Sequence, residues 1–153
     1  KVSIDFAGAG PLKDELVRVV DARYGRVLPP VPYEHVISFL GGYDILVLPS
    51  LADEWGVVIN EAIHAGCAVV TTEGCGASDL VWGAGCGAVV MDAKQCAEVL
   101  VAAVDQPGLV SRWKEAAMRL SSRLTPKVGA RYLAEIITKE RSALLPPPWG
   151  TLL

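Results

Sequence analysis

The chain has 153 residues, of which 52% are hydrophobic and 20% charged, and its formal net charge at pH 7 is −3. A chain of this length buries roughly two thirds of its unfolded surface in a single domain. Its high hydrophobic content and modest charged content exclude an intrinsically disordered protein. The slight negative charge argues against nucleic acid or a polybasic membrane surface as the partner. No apolar run approaches the ~20 residues of a membrane span. Because the chain starts at Lys1 and runs at once into an apolar segment, we interpret it as a fragment of a longer protein.

The first forty residues alternate between strand-like and helix-like patterns. Val2 to Ala7 predicts a strand, and the turn Gly8-Ala9-Gly10 leads from it into a segment with apolar residues at helical spacing. Arg26 to Leu28 predicts a short strand that ends in a Pro-rich connector starting at Pro29, and Tyr33 to Leu40 predicts a helix. Since the third glycine of a dinucleotide-binding fingerprint is missing, the residues alone indicate an ordinary tight turn at Gly8-Ala9-Gly10.

A strand, a polar loop, a helix and a second strand then follow in close succession. Ile45 to Leu48 is an unbroken apolar run, as in a strand covered on both faces. The loop Ser50 to Glu54 leads through Trp55-Gly56 into a predicted helix over Val57 to Ala65, and Ala68 to Val70 again predicts a strand. This order places the helix N-terminus at the carboxyl edge of a parallel sheet, where open α/β folds bind anionic ligands.

Two carboxylates frame the start of this helix. Asp53 precedes it, and Glu61 lies eight residues further on, about one and a half turns into the helix. Glu61 shares a helix face with Val57, whereas Val58 and Ala62 belong to the face that we expect to pack on the sheet. Both carboxylates are therefore candidates for contacts with a ligand at the helix N-terminus. The alternative is that they serve the helix alone, as a cap and as favourable charges near the helix dipole.

The second half of the chain changes from α/β alternation to helices. Thr71 to Gly76 is a polar, Gly-rich loop, and Ala88 to Met91 predicts the last strand. From Ala93 onward apolar residues recur at helical spacing, with one break at Thr125-Pro126. We therefore predict an α/β fold with a doubly wound parallel sheet and a helical C-terminal segment. One domain is expected over 1–144, followed by a Pro-rich tail over 145–153.

The four cysteines stand in no metal-binding pattern. Cys67, Cys75, Cys86 and Cys96 form no C-x-x-C pair, and the two histidines do not complete a zinc set. We interpret the cysteines as reduced packing thiols of a cytosolic protein, and we predict no metal site.

The central stretch resembles the donor-binding segment of GT-B glycosyltransferases, in the large retaining family known as group 1 or family 4. The family pattern is Pro-Ser, Glu-x-Phe-Gly, Glu-Ala, a glycine turn and Val-Val. Here it reads Pro49-Ser50, Asp53-Glu54-Trp55-Gly56, Glu61-Ala62, Gly66 and Val69-Val70. The paired glutamates of the family fall on Asp53 and Glu61, so the first is an aspartate, about one methylene shorter, and Trp55 replaces the usual Phe.

The resemblance implies the C-terminal, nucleotide-sugar-binding half of an enzyme of glycan biosynthesis. Such an enzyme transfers a sugar from a nucleoside-diphosphate-sugar to an acceptor with retention of configuration, and it needs neither a metal nor another cofactor. By this resemblance Glu61 holds the ribose hydroxyls, and Asp53 holds the hydroxyls of the transferred sugar. The implied donor-binding residues are Gly8, Gly10, Pro29, Trp55, Gly56, Val57, Val58, Glu61, Gly74 and Gly76.

The resemblance also implies what this sequence lacks. The acceptor-binding N-terminal domain is missing, and so is the opening strand–helix unit of this domain, whose cations meet the diphosphate. We expect the full-length protein to be cytoplasmic, with a peripheral membrane association as a further option. Two alternatives to an enzyme remain open: a non-catalytic nucleotide- or sugar-binding module, and a flavodoxin-like regulatory domain in which Asp53 and Glu61 serve the helix alone.

Overall fold

The computed structural model describes residues 2–138. The strands are β1 (Ile4–Ala7), β2 (Gly25–Leu28), β3 (Ile45–Leu48), β4 (Ala68–Thr72) and β5 (Gly87–Val90). The helices are α1 (Lys13–Val19), α2 (Val36–Leu40), α3 (Val57–Ala65), α4 (Ser78–Ala84), α5 (Ala93–Asp105), α6 (Pro107–Ser121) and α7 (Pro126–Thr138). A 3₁₀ turn at Tyr33–His35 precedes α2.

The strands of the described region form two parallel sheets flanked by helices. β1 pairs with β2, and β3, β4 and β5 pair in that order. The first four residues of β4 are buried, as expected for a central strand covered on both faces, whereas β1 is mostly exposed. The predicted Rossmann-like α/β class is confirmed, and the structure adds that the described strands divide into a two-stranded and a three-stranded sheet.

A carboxylate on β1 links the two sheets. The side chain of Asp5 is only 5% exposed, and it accepts hydrogen bonds from Nε of Arg26 at 3.0 Å and from the hydroxyl of Tyr43 at 2.6 Å. The Arg26 guanidinium is the main reason why the pKa of Asp5 lies below its ordinary value, and the Tyr43 hydroxyl adds to the effect. Because Tyr43 stands just before β3, these bonds connect the end of the three-stranded sheet to β1 and β2.

Helix α3 and strand β4 form the centre of the core. Ile59, Ala62 and Ile63 of α3 are fully buried and pack in one cluster with Val69 of β4. The predicted packing face contained Val58 and Ala62; Ala62 is fully buried, whereas Val58 is partly buried and packs against the same cluster. The face is rotated because α3 contacts α2 and α6 as well as the sheet.

The predicted bounds of β3 and α3 are confirmed, and α3 ends at Gly66 in the left-handed conformation with φ +76°. The predicted loop over Thr71 to Gly76 is wrong at its start. Thr71 and Thr72 continue β4, because they pair with Leu48 of β3 and with Val90 of β5. β4 therefore reaches the carboxyl edge of the sheet together with its neighbours.

The helical prediction for the C-terminal part is confirmed by α5, α6 and α7, and the break at Thr125-Pro126 is the start of α7. Helix α4 was not predicted, because only Leu80 and Val81 of its seven residues are buried and so short an apolar run shows no helical period. The predicted tail over 145–153 and the end of the predicted domain lie outside the described residues. None of the helices within 2–138 has the length and apolar character needed to cross a membrane.

Candidate functional site

The start of α3 requires a glycine for two separate reasons. Gly56 has φ +79° and ψ 61°, a left-handed conformation that other residues rarely adopt. A Cβ atom at this position would also collide with Sγ of Cys75. The chain therefore turns sharply at Gly56, and α3 begins at the next residue, Val57.

The side chain of Asp53 is bound to this turn. Its Oδ1 accepts the N–H of Gly56 at 2.7 Å and the N–H of Trp55 at 3.1 Å. The N–H groups of Val57 and Val58 have no hydrogen-bond partner among the described residues. Gly56, Val57 and Val58 are among the donor-binding residues that the resemblance implies. The N–H of Gly56 is thus held by Asp53, and those of Val57 and Val58 remain available within the described residues.

The loop before α3 is joined to the loop after β4. Asp53 N–H donates to the Gly74 carbonyl at 2.9 Å, Gly76 N–H to the Asp53 carbonyl at 3.0 Å, and Ala77 N–H to the Trp55 carbonyl at 2.8 Å. The hydroxyl of Thr72 also donates to the carbonyl of Ser50. We call these segments, residues 50–56 and 72–77, the paired loops. Because they hold each other by backbone bonds, they form one connected edge above β3 and β4.

Gly74 and Gly76 allow this close approach. A Cβ atom at Gly74 would collide with the carbonyl oxygen of Leu51, and one at Gly76 would collide with that of Glu54. The family resemblance implies that both glycines contact the ligand. The structure places each of them against the opposite loop, so their absent side chains serve loop packing whether or not a ligand also lies nearby.

Glu61 lies one turn below Val57 on α3. Its side chain is partly buried and makes no ion pair or hydrogen bond within residues 2–138. Val57 is 60% exposed, so this side of the helix is open to solvent. The N-terminus of α3 therefore has two N–H groups without a partner in residues 2–138, and a carboxylate without a partner in the same residues follows one turn further along the helix.

The other predicted donor residues lie in the segments that follow the strands of the two-stranded sheet. Gly8 and Gly10 follow β1, and Pro29 follows β2, so each stands at the carboxyl end of its strand, as predicted. A Cβ atom at Gly8 or Gly10 would meet no atom within 4 Å, and the space beside this turn is open. Within the described residues, no hydrogen bond joins these three positions to the paired loops.

Sequence reasoning missed the part that Cys75 plays. Its buried Sγ lies under Gly56 and donates to the carbonyl of Trp55 at 3.2 Å. Only the tertiary contact between the paired loops reveals this position, because nothing in the local sequence distinguishes Cys75 from the other cysteines.

The remaining cysteines are placed away from the paired loops. Cys67 and Cys86 are buried, and burial raises the pKa of each thiol from 9.0 to about 11. All four cysteines are free thiols. Within the described part of the chain, no three His, Cys, Asp or Glu side chains are grouped to share a metal ion.

Comparison with known proteins identifies the family. Residues 1–106 match the family model described as glycosyl transferases group 1. The chain belongs to this family. Over 106 residues it is 35% identical to the lipopolysaccharide glucosyltransferase WaaG of Escherichia coli (strain K12), an alignment that covers 67% of this chain and 28% of WaaG. The family resemblance noted from the sequence is thereby confirmed.

Solved structures show the same fold. The crystal structure of WaaG, a glycosyltransferase involved in lipopolysaccharide biosynthesis, matches with a TM-score of 0.69 and 24% identity over 90% of this chain and 38% of that one. Anabaena Alr3699/HepE in complex with UDP matches with a TM-score of 0.73 and 19% identity, over 90% and 41%. The C-terminal domain of the group 1 family protein LpcC from Francisella tularensis matches with a TM-score of 0.58 and 15% identity, over 81% and 86%. The chain thus spans less than half of WaaG and HepE but most of an isolated C-terminal domain.

Proposed function

We propose that this chain is the donor-binding domain of an enzyme that transfers a sugar from a nucleoside-diphosphate-sugar to an acceptor with retention. The observation that carries the proposal is a set of groups on α3 that have no partner among the described residues: the N–H groups of Val57 and Val58 at the helix N-terminus, and the carboxylate of Glu61 one turn further along. The fold relative HepE, which was crystallised in complex with UDP, supports a nucleotide as part of the ligand.

Each of these groups, and Asp53 before the helix, has a chemical role that fits such a donor. N–H groups at a helix N-terminus suit the diphosphate, because the helix dipole favours an anion there. An ionised carboxylate accepts only, so Glu61 fits the hydroxyl donors of a ribose. Asp53 uses Oδ1 for the turn at Gly56, which leaves Oδ2 for a hydroxyl of the transferred sugar.

Positioning and electrostatics supply most of the rate in this proposal, without a metal or another cofactor. The paired loops hold Asp53 and the start of α3 in place before the donor arrives, which reduces the entropic cost of binding. The helix N-terminus would then stabilise the negative charge that develops on the departing diphosphate. We assign the enzyme to the cytoplasm, in keeping with its four free thiols.

The rest of the enzyme completes the donor cleft. β1 and β3 each have one unpaired edge, and the side chains of Asp5 and Tyr43 bridge the space between the two sheets. We infer that the opening strand–helix unit supplies one further parallel strand between β1 and β3. The acceptor would bind to the N-terminal domain of the full-length protein.

On these terms the isolated chain is inactive and binds its donor weakly. An exposed helix N-terminus contributes ~0.3–1 kcal/mol, and ~2 kcal/mol at most. A hydrogen bond to the charged Glu61 adds ~1.5–3 kcal/mol. The sum is close to the ~4 kcal/mol of millimolar binding and well below the ~8 kcal/mol of micromolar binding.

The proposal is tested with Glu61→Ala in the full-length enzyme. Loss of the contact should weaken donor binding by ~1.5–3 kcal/mol, which corresponds to roughly ten- to hundred-fold. Glu54→Ala is the matched control, since Glu54 carries the same charge, is exposed and makes no side-chain bond among the described residues. Equal donor affinities of the two variants would show that Glu61 does not hold the donor.

One observation favours a second candidate, a non-catalytic module that binds nucleotide sugars. Asp53 is shorter than the family glutamate and is already engaged by the turn at Gly56. Turnover separates the two candidates: the full-length protein would bind donor in both cases but would transfer or hydrolyse the sugar only if it is an enzyme.

A further inference from the structure

A cleft of about 400 Å³ lies beside α3, between this helix and the turn that joins α6 to α7. We call it the Arg123 cleft. Its volume falls within the range of ~300–1,000 Å³ that is usual for small-molecule sites. Its apolar lining comes from Trp55, Leu80, Leu124 and Pro126, and its polar lining comes from Asn60, His64, Arg123 and Thr125.

Two hydrogen bonds fix the orientation of the side chains that α3 presents to the cleft. The indole Nε1 of Trp55 donates to Oδ1 of Asn60 at 3.2 Å, and Nδ1 of His64 lies 3.0 Å from Oγ of Ser121. These bonds leave the amide N–H₂ of Asn60 and Nε2 of His64 without partners in residues 2–138. The cleft therefore has an aromatic wall and polar groups that are ordered before any ligand arrives.

Arg123 gives the cleft a positive charge that no carboxylate within residues 2–138 balances. The guanidinium of Arg123 makes no ion pair or hydrogen bond with any described residue, and none of the lining residues is acidic. Arg119, one turn earlier on α6, provides the contrast, because its Nη1 lies 4.0 Å from Oε2 of Glu115. A guanidinium offers several N–H donors in a planar fork, which suits the oxygens of phosphate or carboxylate.

We propose that the Arg123 cleft binds an anionic sugar, at a site separate from the donor site at the start of α3. The exposed ring of Trp55, 46% of whose surface is accessible, offers an apolar face for a sugar ring. Asn60 and the hydroxyl of Thr125 bind sugar hydroxyls, and Arg123 binds the phosphate or carboxylate group. The donor site shares only Trp55 with this cleft.

The experiment follows the ¹H–¹⁵N NMR spectrum of the 153-residue chain during titration, and shifts of the Val57 and Val58 amides are recorded separately as binding at the donor site. Glucose 6-phosphate, glucuronate, glucose and inorganic phosphate are the probes. Glucose 6-phosphate or glucuronate should shift the indole signal of Trp55, the side-chain amide of Asn60 and the backbone amide of Thr125. The two charged sugars distinguish phosphate from carboxylate as the preferred anion. Glucose, which lacks the anion, should bind on the order of ten- to hundred-fold more weakly, and inorganic phosphate several-fold more weakly.

Two arginine variants show whether the charge is responsible. Arg123→Gln should weaken the charged sugars on the order of ten- to hundred-fold, the scale of a charge-assisted hydrogen bond, and should leave glucose unchanged. Arg119→Gln is the matched control and should change neither. The response of the Val57 and Val58 amides to UDP-, GDP- and ADP-sugars should be the same in both variants, so that failure here does not count against the donor site.

Three results would overturn the proposal. One is the absence of shifts at Trp55 and Thr125 with both charged sugars at millimolar concentration. Another is an equal loss in the two arginine variants. The third is binding of inorganic phosphate as tight as that of the charged sugars, because the cleft would then be an anion site without recognition of a sugar.

Discussion

Replacing Asp53 tests whether its carboxylate holds the turn at the start of α3. In Asp53→Ala the N–H of Gly56, a buried residue, loses its acceptor at 2.7 Å, and the exposed N–H of Trp55 loses a weaker one at 3.1 Å. A buried donor without a partner costs ~1–3 kcal/mol, whereas the exposed N–H can bond to water instead. We therefore expect Asp53→Ala to lower the free energy of unfolding by ~1–3 kcal/mol.

The matched variant is Asp53→Asn, which keeps Oδ1 as an acceptor and removes the charge. It should cost less than ~1 kcal/mol, because a neutral acceptor still satisfies Gly56. Urea denaturation measures the difference: with a slope of about 2 kcal/mol per molar, the midpoint of Asp53→Ala should fall by roughly 0.5–1.5 M. Glu54→Ala, in the same loop, controls for the lost charge. If the alanine and asparagine variants of Asp53 unfold at the same midpoint, the hydrogen bonds to Oδ1 do not support the turn.

Three further predictions concern the scaffold. Gly74→Ala should destabilise the chain by ~1–3 kcal/mol in the same assay, because the new Cβ atom meets a carbonyl group of the opposite loop. Gly10→Ala is the control and should cost less than ~0.5 kcal/mol, because the space around Gly10 is open. Equal costs of the two variants would contradict the packing argument. Asp5→Asn should lower stability at neutral pH and make the loss of stability in acid less steep. The reason is that a carboxyl group with a lowered pKa stabilises the fold above its unfolded pKa and loses this effect as pH falls. An unchanged dependence of stability on acid pH would refute this. The free energy of unfolding should also fall as pH rises from 9.0 to about 11, because burial raises the pKa of Cys67 and Cys86 and the thiols of the unfolded chain therefore ionise first. With alanine at both positions this decline should be shallower, and an identical slope would contradict the prediction.

The parts of the fold that the sequence predicts well are those fixed by local patterns. β3 is a continuous apolar run, and α3 lies between two glycines, Gly56 and Gly66, both in the left-handed conformation. Its bounds can therefore be predicted without tertiary information. The end of β4 is different, because Thr71 and Thr72 are polar and belong to a strand only through pairing with their neighbours.

The candidate site divides in the same way. Asp53, Gly56 and Glu61 could be singled out from a motif, because their spacing along the chain carries the signal. What Asp53 contacts could not be predicted, since the choice between a ligand and the N–H of Gly56 depends on the left-handed turn and on the opposing loop. For the same reason no pattern reveals that Gly74 and Gly76 face carbonyl groups.

The central claim is that the start of α3 receives the diphosphate and ribose of a nucleotide sugar. NMR shift mapping of the 153-residue chain with UDP-, GDP- and ADP-sugars tests it most directly. We predict that at least one donor shifts the backbone amides of Val57, Val58 and Glu61, with a dissociation constant in the high-micromolar to millimolar range. Shifts that leave these three amides unmoved, or no shifts with any donor at millimolar concentration, would contradict the account.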